Sequence, residues 1–208
     1  MSGTKRSAAA IGGDVRRNVC QLLLDQGYFS EPELLEAFRD CLDRHNADAK
    51  KHGLKWHKTK DGEAKDEDNR KELRKVVDAL DDTLGPIGLK VASMKSKSSG
   101  SWQTYYGVVN LLPNDSFSKL ADGLSKKEQE LYTKVVADIT SCEDEKIDTT
   151  DAANLRTCLD SGQLSALDAQ SCLERLAAGG WLASDNEGNY RIGVRTELQA
   201  RYKPTDDE

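Results

Sequence analysis

Apolar residues fall at helical spacing along most of this chain, and the pattern turns to alternation near positions 90, 105 and 190. Val15, Val19, Leu22 and Leu23 share one helix face, with Asp14 as a cap and Gly27 as a stop. Tyr28-Phe29 bridges to Ser30-Glu31-Pro32-Glu33, a capping box with proline in the first turn. Leu34, Leu35, Phe38 and Leu42 then continue a second helix. A third begins near Arg70, buries Leu73, Val76, Val77 and Leu80, and ends at Gly85-Pro86. Ile87, Leu89 and Val91 alternate, as do Tyr105, Val109 and Leu111. These predict two strands, joined by a long polar loop from Ser93 to Gln103. Residues 49–69 lose the periodicity. Their charges run positive and then negative, which reads as an inserted loop or a frayed helix end.

The second half repeats that order of elements without repeating residues. Pro113-Asn114-Asp115 marks a boundary, and Phe117 and Leu120 suit a short linking helix. Ser125 to Glu128 is a capping box opening a helix through Leu131, Val135 and Ile139. The stretch 141–150 is a polar connection. Asp151 to Ser161 is a helix closed by Gly162. Ser165 and Asp168 open another, in which Ala169, Cys172, Leu173 and Leu176 share a face before Gly179-Gly180. Trp181-Leu182, the turn Asp185-Asn186-Glu187-Gly188, and Tyr190 with Ile192 make a small hairpin, followed by a short final helix from Val194. Three helices and a hairpin, twice, predict a mainly α fold with small β-hairpins (α+β) in two tandem winged-helix domains. The expected layout is a leader at 1–13, a first domain at 14–112 carrying the insertion 49–69, a second at 113–203 and an acidic tail at 204–208.

Composition narrows the function. The 208 residues hold 36 Asp and Glu against 30 Lys and Arg, a formal net charge of -6. Any nucleic-acid contact must therefore be local. Five scattered cysteines with no CxxC pair argue against a disulfide framework or a zinc site, and Cys20 and Cys172 fall among apolar helix positions. No apolar run approaches the roughly 20 residues that span a bilayer. The N-terminus has no signal-peptide pattern.

No catalytic constellation is expected. His45, His52 and His57 lie in or beside the polar insertion, far from any glycine-framed serine or cysteine, and read as solvated surface residues. A zinc cluster from them and Cys41 matches no tight ligand spacing. No glycine-rich phosphate loop follows a strand. Winged helices usually offer their third helix to the major groove and the wing to the backbone. In the first domain Arg70, Lys71, Arg74 and Lys75 lie on that helix, Lys95 and Lys97 on the wing, and Lys50, Lys51, Lys55, Lys58 and Lys60 in the insertion with Trp56. These are the candidate DNA contacts. The second domain's third helix has Arg175 against Asp168 and Glu174, so a protein interface is expected there, with Leu111, Leu112, Phe117 and Trp181 as candidates.

The segment Val108 to Ser141 resembles the joint between the winged helices of the non-SMC element one subunit of the SMC five-six complex. Val109-Asn110-Leu111, Ser116 to Ser118 and Glu128 to Leu131 carry the likeness. Leu173 to Leu176, Gly180-Trp181-Leu182 and Glu187 to Tyr190 are similar to that family's last helix, strand and wing, and Val15 to Phe38 fits its first helix pair more loosely. The resemblance implies partners, a MAGE-type winged-helix subunit and a kleisin subunit. It also implies a nuclear role in chromosome maintenance and recombinational DNA repair. The family carries a C-terminal variant RING that binds zinc and supports ubiquitin ligase activity. No Cys/His series precedes Glu208 to receive either property, as expected of a portion of the protein or a member without the RING. The contrasting expectation is a stand-alone winged-helix DNA-binding regulator.

Overall fold

The computed structural model describes residues 13–98, 101–112, 123–185 and 187–202, with the backbone alone described at Lys97 and Ser98. The expected leader before Gly13, the boundary turn from Pro113, the linking helix at Phe117 and Leu120, Asn186 and the acidic tail lie outside the described residues. The chain divides into two compact units, Met1–Val109 and Asn110–Glu208. Each is α+β, with helices packed on a small antiparallel sheet.

The first unit runs α1 (Gly13–Gln26), β1 (Tyr28–Ser30), α2 (Glu31–Arg44), α3 (Asn46–Lys51), α4 (Asp66–Leu84), β2 (Leu89–Ser98) and β3 (Ser101–Asn110). Its sheet order is β1-β3-β2, with Phe29 of β1 opposite Tyr106 of β3. Gly27 allows the sharp exit from α1: its φ of 85° lies in the left-handed region, where a side chain would be strained. The core is Val15, Val19 and Leu23 against Leu34, Phe38, Leu73, Val76 and Leu80, all at most 2% exposed. Each such burial contributes about 1.5–3 kcal/mol.

Four features differ from the sequence reading. Tyr28 to Ser30 is a strand, too short for alternation to show. The expected polar loop 93–103 is mostly strand, because β2 and β3 continue to Ser98 and from Ser101. Helix α4 starts at Asp66, since the acids Asp66, Glu67 and Asp68 form its first turn, where the helix dipole favours them. Asp14 does not close its own helix. The Asp48 carboxylate of α3 accepts the amides of Asp14 at 3.0 Å and Val15 at 3.4 Å. Burial opposes the Asp48 charge, yet those two amides, with His52 and Lys51, hold its carboxyl below the usual range.

The second unit runs α5 (Lys126–Ser141), β4 (Ile147–Asp148), α6 (Thr149–Asn154) with a 3-10 turn at Leu155–Thr157, α7 (Ala166–Ala178), β5 (Leu182–Ser184), β6 (Asn189–Ile192) and α8 (Val194–Arg201). Strand β4 emerges from the stretch expected to be a polar connection, pairing Ile147 with Tyr190. The helix expected over 151–161 is shorter. Thr157 Oγ1 donates to the Asn154 carbonyl at 2.9 Å, a local bond that competes with helix continuation. Ala169, Cys172, Leu173 and Leu176 of α7 are buried against Leu131, Val135 and Ile139 of α5. Gly193 is required for space rather than for φ. A Cβ there would sit 2.2 Å from the Gly180 carbonyl oxygen.

Glu130 of α5 ties down the chain that follows α6. Its carboxylate accepts the Ser161 hydroxyl, the Ser161 amide at 3.0 Å and the Asp160 amide. The Ser161 hydroxyl, then the two amides, hold the Glu130 carboxyl down to about 2 against desolvation, from an ordinary 4.5. A depressed folded-state value stabilises above the unfolded one, so the contribution is complete above about pH 4.5 and fades as the pH falls toward 2. Thermal melts followed by circular dichroism should show Glu130→Gln less stable than the parent at pH 6. The difference should narrow steadily between pH 4.5 and about 2; a constant difference across that range would refute the assignment.

Candidate interaction surfaces

The third helix of the first unit has its cations already engaged. Arg70 Nε lies 2.9 Å from Glu31 Oε2, and Glu31 is 15% exposed. The Tyr106 hydroxyl donates to Glu31 Oε1 at 3.4 Å, and the Arg74 side chain bonds the same phenol. Burial, with the Glu31 carboxylate behind it, pushes that phenol up, and Arg74 opposes them. Arg70 and Arg74, one turn apart, thus belong to a network joining α4, α2 and β3. Lys71 reaches Glu67 at 3.1 Å and Asp68 at 3.9 Å, while Lys75 reaches Glu72 at 2.7 Å. The exposed Lys71 pairs are worth about 0–1 kcal/mol, so Lys71 is screened rather than locked, whereas Lys75 is held by a buried carboxylate.

The insertion is a loop from His52 to Lys65 between α3 and α4, and it is anchored rather than loose. Ala49 and Leu54 are buried, and Trp56 packs on the core. Lys58 and Ala64 form an isolated antiparallel bridge, and Thr59 donates its amide to the Glu63 carbonyl at 2.7 Å. The fastening is Asn69, fully buried on α4. Its Oδ1 accepts the His57 amide at 2.7 Å and its Nδ2 donates to the His57 carbonyl at 3.1 Å. Both polar groups of one backbone residue are met by one side chain.

The histidines are not freely solvated. His45 Nε2 lies 2.9 Å from Asn18 Nδ2, His52 Nε2 lies 3.3 Å from Asp48 Oδ1, and His57 Nε2 lies 3.6 Å from Glu72 Oε1. Each joins the 45–57 segment to a helix or turns it locally. Cys41 is buried in the core. Among the described residues no group of three or more His, Cys, Asp or Glu is placed to hold a metal ion.

Lys50, Lys55, Lys58 and Lys60 are exposed and make no ion pair among the described residues, and Lys51 contributes to the field at Asp48. Lys95 on β2 is exposed as well. The free positive charge of the first unit therefore lies on the insertion and wing more than on the third helix.

In the second unit Trp181 is held inside its own fold. Tyr132 meets the indole edge-on at 5.9 Å between centroids, and the Arg195 guanidinium lies over it at 4.3 Å. Thr196 Oγ1 and the Gly193 amide both donate to the Trp181 carbonyl. Leu111 is half-buried and Leu112 is 47% exposed; Phe117 lies outside the described residues. The outer face of α7 carries Leu167, 77% exposed. Beside it Ser125, Glu128, Leu164, Asp168, Ser171 and Arg175 line an open cleft of about 400 Å³. Arg175 is bonded to Glu128 across it.

Three exposed large apolar residues have no place in the sequence reading, Leu24, Leu167 and Trp102, the last 72% exposed on β3. Leu167 stands out in the sequence as a leucine off the apolar face of its helix. Trp102 stands out as a lone aromatic within SMKSKSSGSWQ.

Residues 16–198 match the family described as "Nse1 non-SMC component of SMC5-6 complex". Among solved structures, a chain of an "Nse1-Nse3-Nse4 complex" superposes with a TM-score of 0.71 at 19% identity, over 90% of this chain and 71% of that one. No curated protein matches significantly.

Replacing Asn69 by alanine leaves the His57 amide without its partner, at a cost of about 1–3 kcal/mol, while the His57 carbonyl keeps the Lys65 amide at 3.0 Å. Urea denaturation should show that loss. Amide exchange at residues 57–65 should accelerate more than at α1; unchanged exchange there would mean the insertion is held by something else.

Proposed function

The chain belongs to the family of Nse1 non-SMC components of the SMC5-6 complex, and from that premise we propose that it works as an interaction subunit, docking on a MAGE-type winged-helix partner and a kleisin. The family match across both units carries this reading. The similar solved structure, a complex of Nse1 with Nse3 and Nse4, supports it. The outer face of α7 supports it physically. An exposed leucine beside polar side chains and a paired arginine suits a protein surface better than a phosphate backbone. Chromosome maintenance, recombinational DNA repair and a nuclear location follow as part of the proposal. So does the ligase activity of a full-length member, whose RING and zinc have no residues in this chain.

Co-expression with the MAGE-type and kleisin subunits of the same organism should give a stable ternary complex by size exclusion. Leu167→Asp, at an exposed position that leaves the core intact, should weaken it at least several-fold. A chain that stays monomeric with both partners would overturn the subunit reading; a full-strength complex with Leu167→Asp would move the docking face elsewhere.

A second reading rests on the unpaired insertion lysines: contact of the first unit with DNA phosphates. Lys50, Lys51, Lys55, Lys58, Lys60, Lys95 and Lys97 are its candidates, with Arg70, Lys71, Arg74 and Lys75 secondary because acids or a phenol already hold them. Removing one lysine–phosphate pair lowers the slope of log affinity against log salt by about 0.9 for duplex DNA. The triple variant Lys55→Glu, Lys58→Glu, Lys60→Glu should lower both affinity and slope. The pair Lys71→Glu, Lys75→Glu should do so less; the reverse ranking would restore the third helix as the DNA-facing element.

A further inference from the structure

We propose that the tip of the first wing is a contact site for unpaired nucleic-acid bases, with Trp102 as the stacking surface and Lys95 as the phosphate contact. The indole of Trp102 is 72% exposed near the start of β3. A tryptophan left in water at the end of a hairpin contributes nothing to the core behind it. The chain around it is unusual in charge. Between Asp82 and Asp115 there is no Asp or Glu at all, in a protein with 36 of them, while Lys90, Lys95 and Lys97 all fall in that span. An acid does reach the hairpin at its root rather than its tip: Asp81 Oδ1 accepts the Val91 amide at 2.8 Å.

The neighbours of Trp102 decide the kind of partner. Ser93, Lys95, Ser101, Gln103 and Thr104 are exposed or half-exposed, and all can donate hydrogen bonds. The other exposed large apolar residues among those described, Leu24, Ile87, Leu112 and Leu167, lie on other elements. A protein-docking patch needs contiguous apolar area, which this tip lacks. An exposed aromatic on a hairpin whose own strands carry lysine and hydrogen-bond donors and no carboxylate is the combination that suits single strands. Every base has a face for the ring, and the backbone meets the lysine. Inside a duplex those faces are already stacked. The preference is therefore for single-stranded segments, forks and frayed ends.

This inference shares with the lysine reading the premise that the first unit meets nucleic acid, but it uses a different element and a different contact. The test titrates the full chain with oligo-dT of about twenty nucleotides, longer than one stacking platform needs, and with a blunt duplex of equal length, following tryptophan fluorescence. Oligo-dT should quench the emission, and Trp102→Ala should abolish the quenching and weaken binding about five-fold or more with the salt slope unchanged. Lys95→Ala should keep the quenching and lower the slope by about 0.7. Trp102 is exposed enough for both variants to fold, which circular dichroism checks. Quenching that persists in Trp102→Ala, or equal affinity of that variant for oligo-dT, overturns the proposal. So does a Trp102→Ala chain that binds DNA normally but no longer holds a partner subunit. If the triple insertion variant loses duplex affinity while oligo-dT still quenches Trp102, the two sites are separate and this proposal stands. If Trp102→Ala alone abolishes oligo-dT binding while the triple variant binds duplex normally, this proposal stands and the lysine reading fails.

Discussion

In each unit the third helix must hold the core together with one face, and that demand limits what else it can do. Leu73, Val76, Val77, Leu80 and Leu84 of α4 are all buried, as are Ala169, Cys172, Leu173 and Leu176 of α7. Only the outward side of either helix is left for a partner. On α4 that side is cationic, but its arginines are fastened to Glu31 and Tyr106, and its lysines lie beside Glu67 and Glu72. On α7 it is nearly neutral and carries an exposed leucine. The same architecture therefore offers two different chemistries. The unpaired positive charge of the first unit is displaced from that helix to the insertion and wing.

That displacement needs the insertion to have a fixed shape. A run of lysines on a loose loop loses ordering entropy whenever it binds, roughly 1–2 kcal/mol per residue for the backbone. Asn69 removes much of that cost in advance by meeting both backbone groups of His57 from a fully buried position. Asp48 does the same at the other end, where its carboxylate closes α1 and its second oxygen faces His52. Polar side chains that look like surface decoration in the sequence thus set the positions of Lys55, Lys58 and Lys60.

Much of the fold is legible in the sequence because apolar periodicity reports burial directly. The four residues assigned to the inner face of α7 are the four buried there, and the boxes at Ser30, Ser125 and Ser165 do open helices. Most of the differences lie where long-range pairing, not local pattern, decides structure. Three residues at Tyr28 or two at Ile147 cannot show alternation, and only β3 and β6 make them strands. Ser93 to Gln103 is polar because a wing reaches into water, yet it is strand through the pairing of β2 with β3. The acidic start of α4 blends into the insertion because charge masks a helix whose first turn contributes little to the core. The histidines read as solvated because partners such as Asn18, 27 residues from His45, are invisible to spacing.

The candidate surfaces raise one apparent contradiction, that a chain of net charge -6 should approach a polyanion. Net charge is the wrong measure at this scale. At physiological ionic strength the screening length is about 8 Å, so an exposed carboxylate two or three such lengths away hardly alters the potential at a lysine. What matters is the charge within that radius. The long span from Thr83 to Asn114 carries three lysines and no acid, whereas the acids gather elsewhere, as at Glu143-Asp144-Glu145 and Asp148. Scattering the same acids through the wing would leave composition and fold untouched and would remove its attraction for phosphate. Their exclusion from a hairpin that also exposes a tryptophan leaves an acidic protein with one local stretch free of negative charge, which is what the proposed nucleic-acid contact requires.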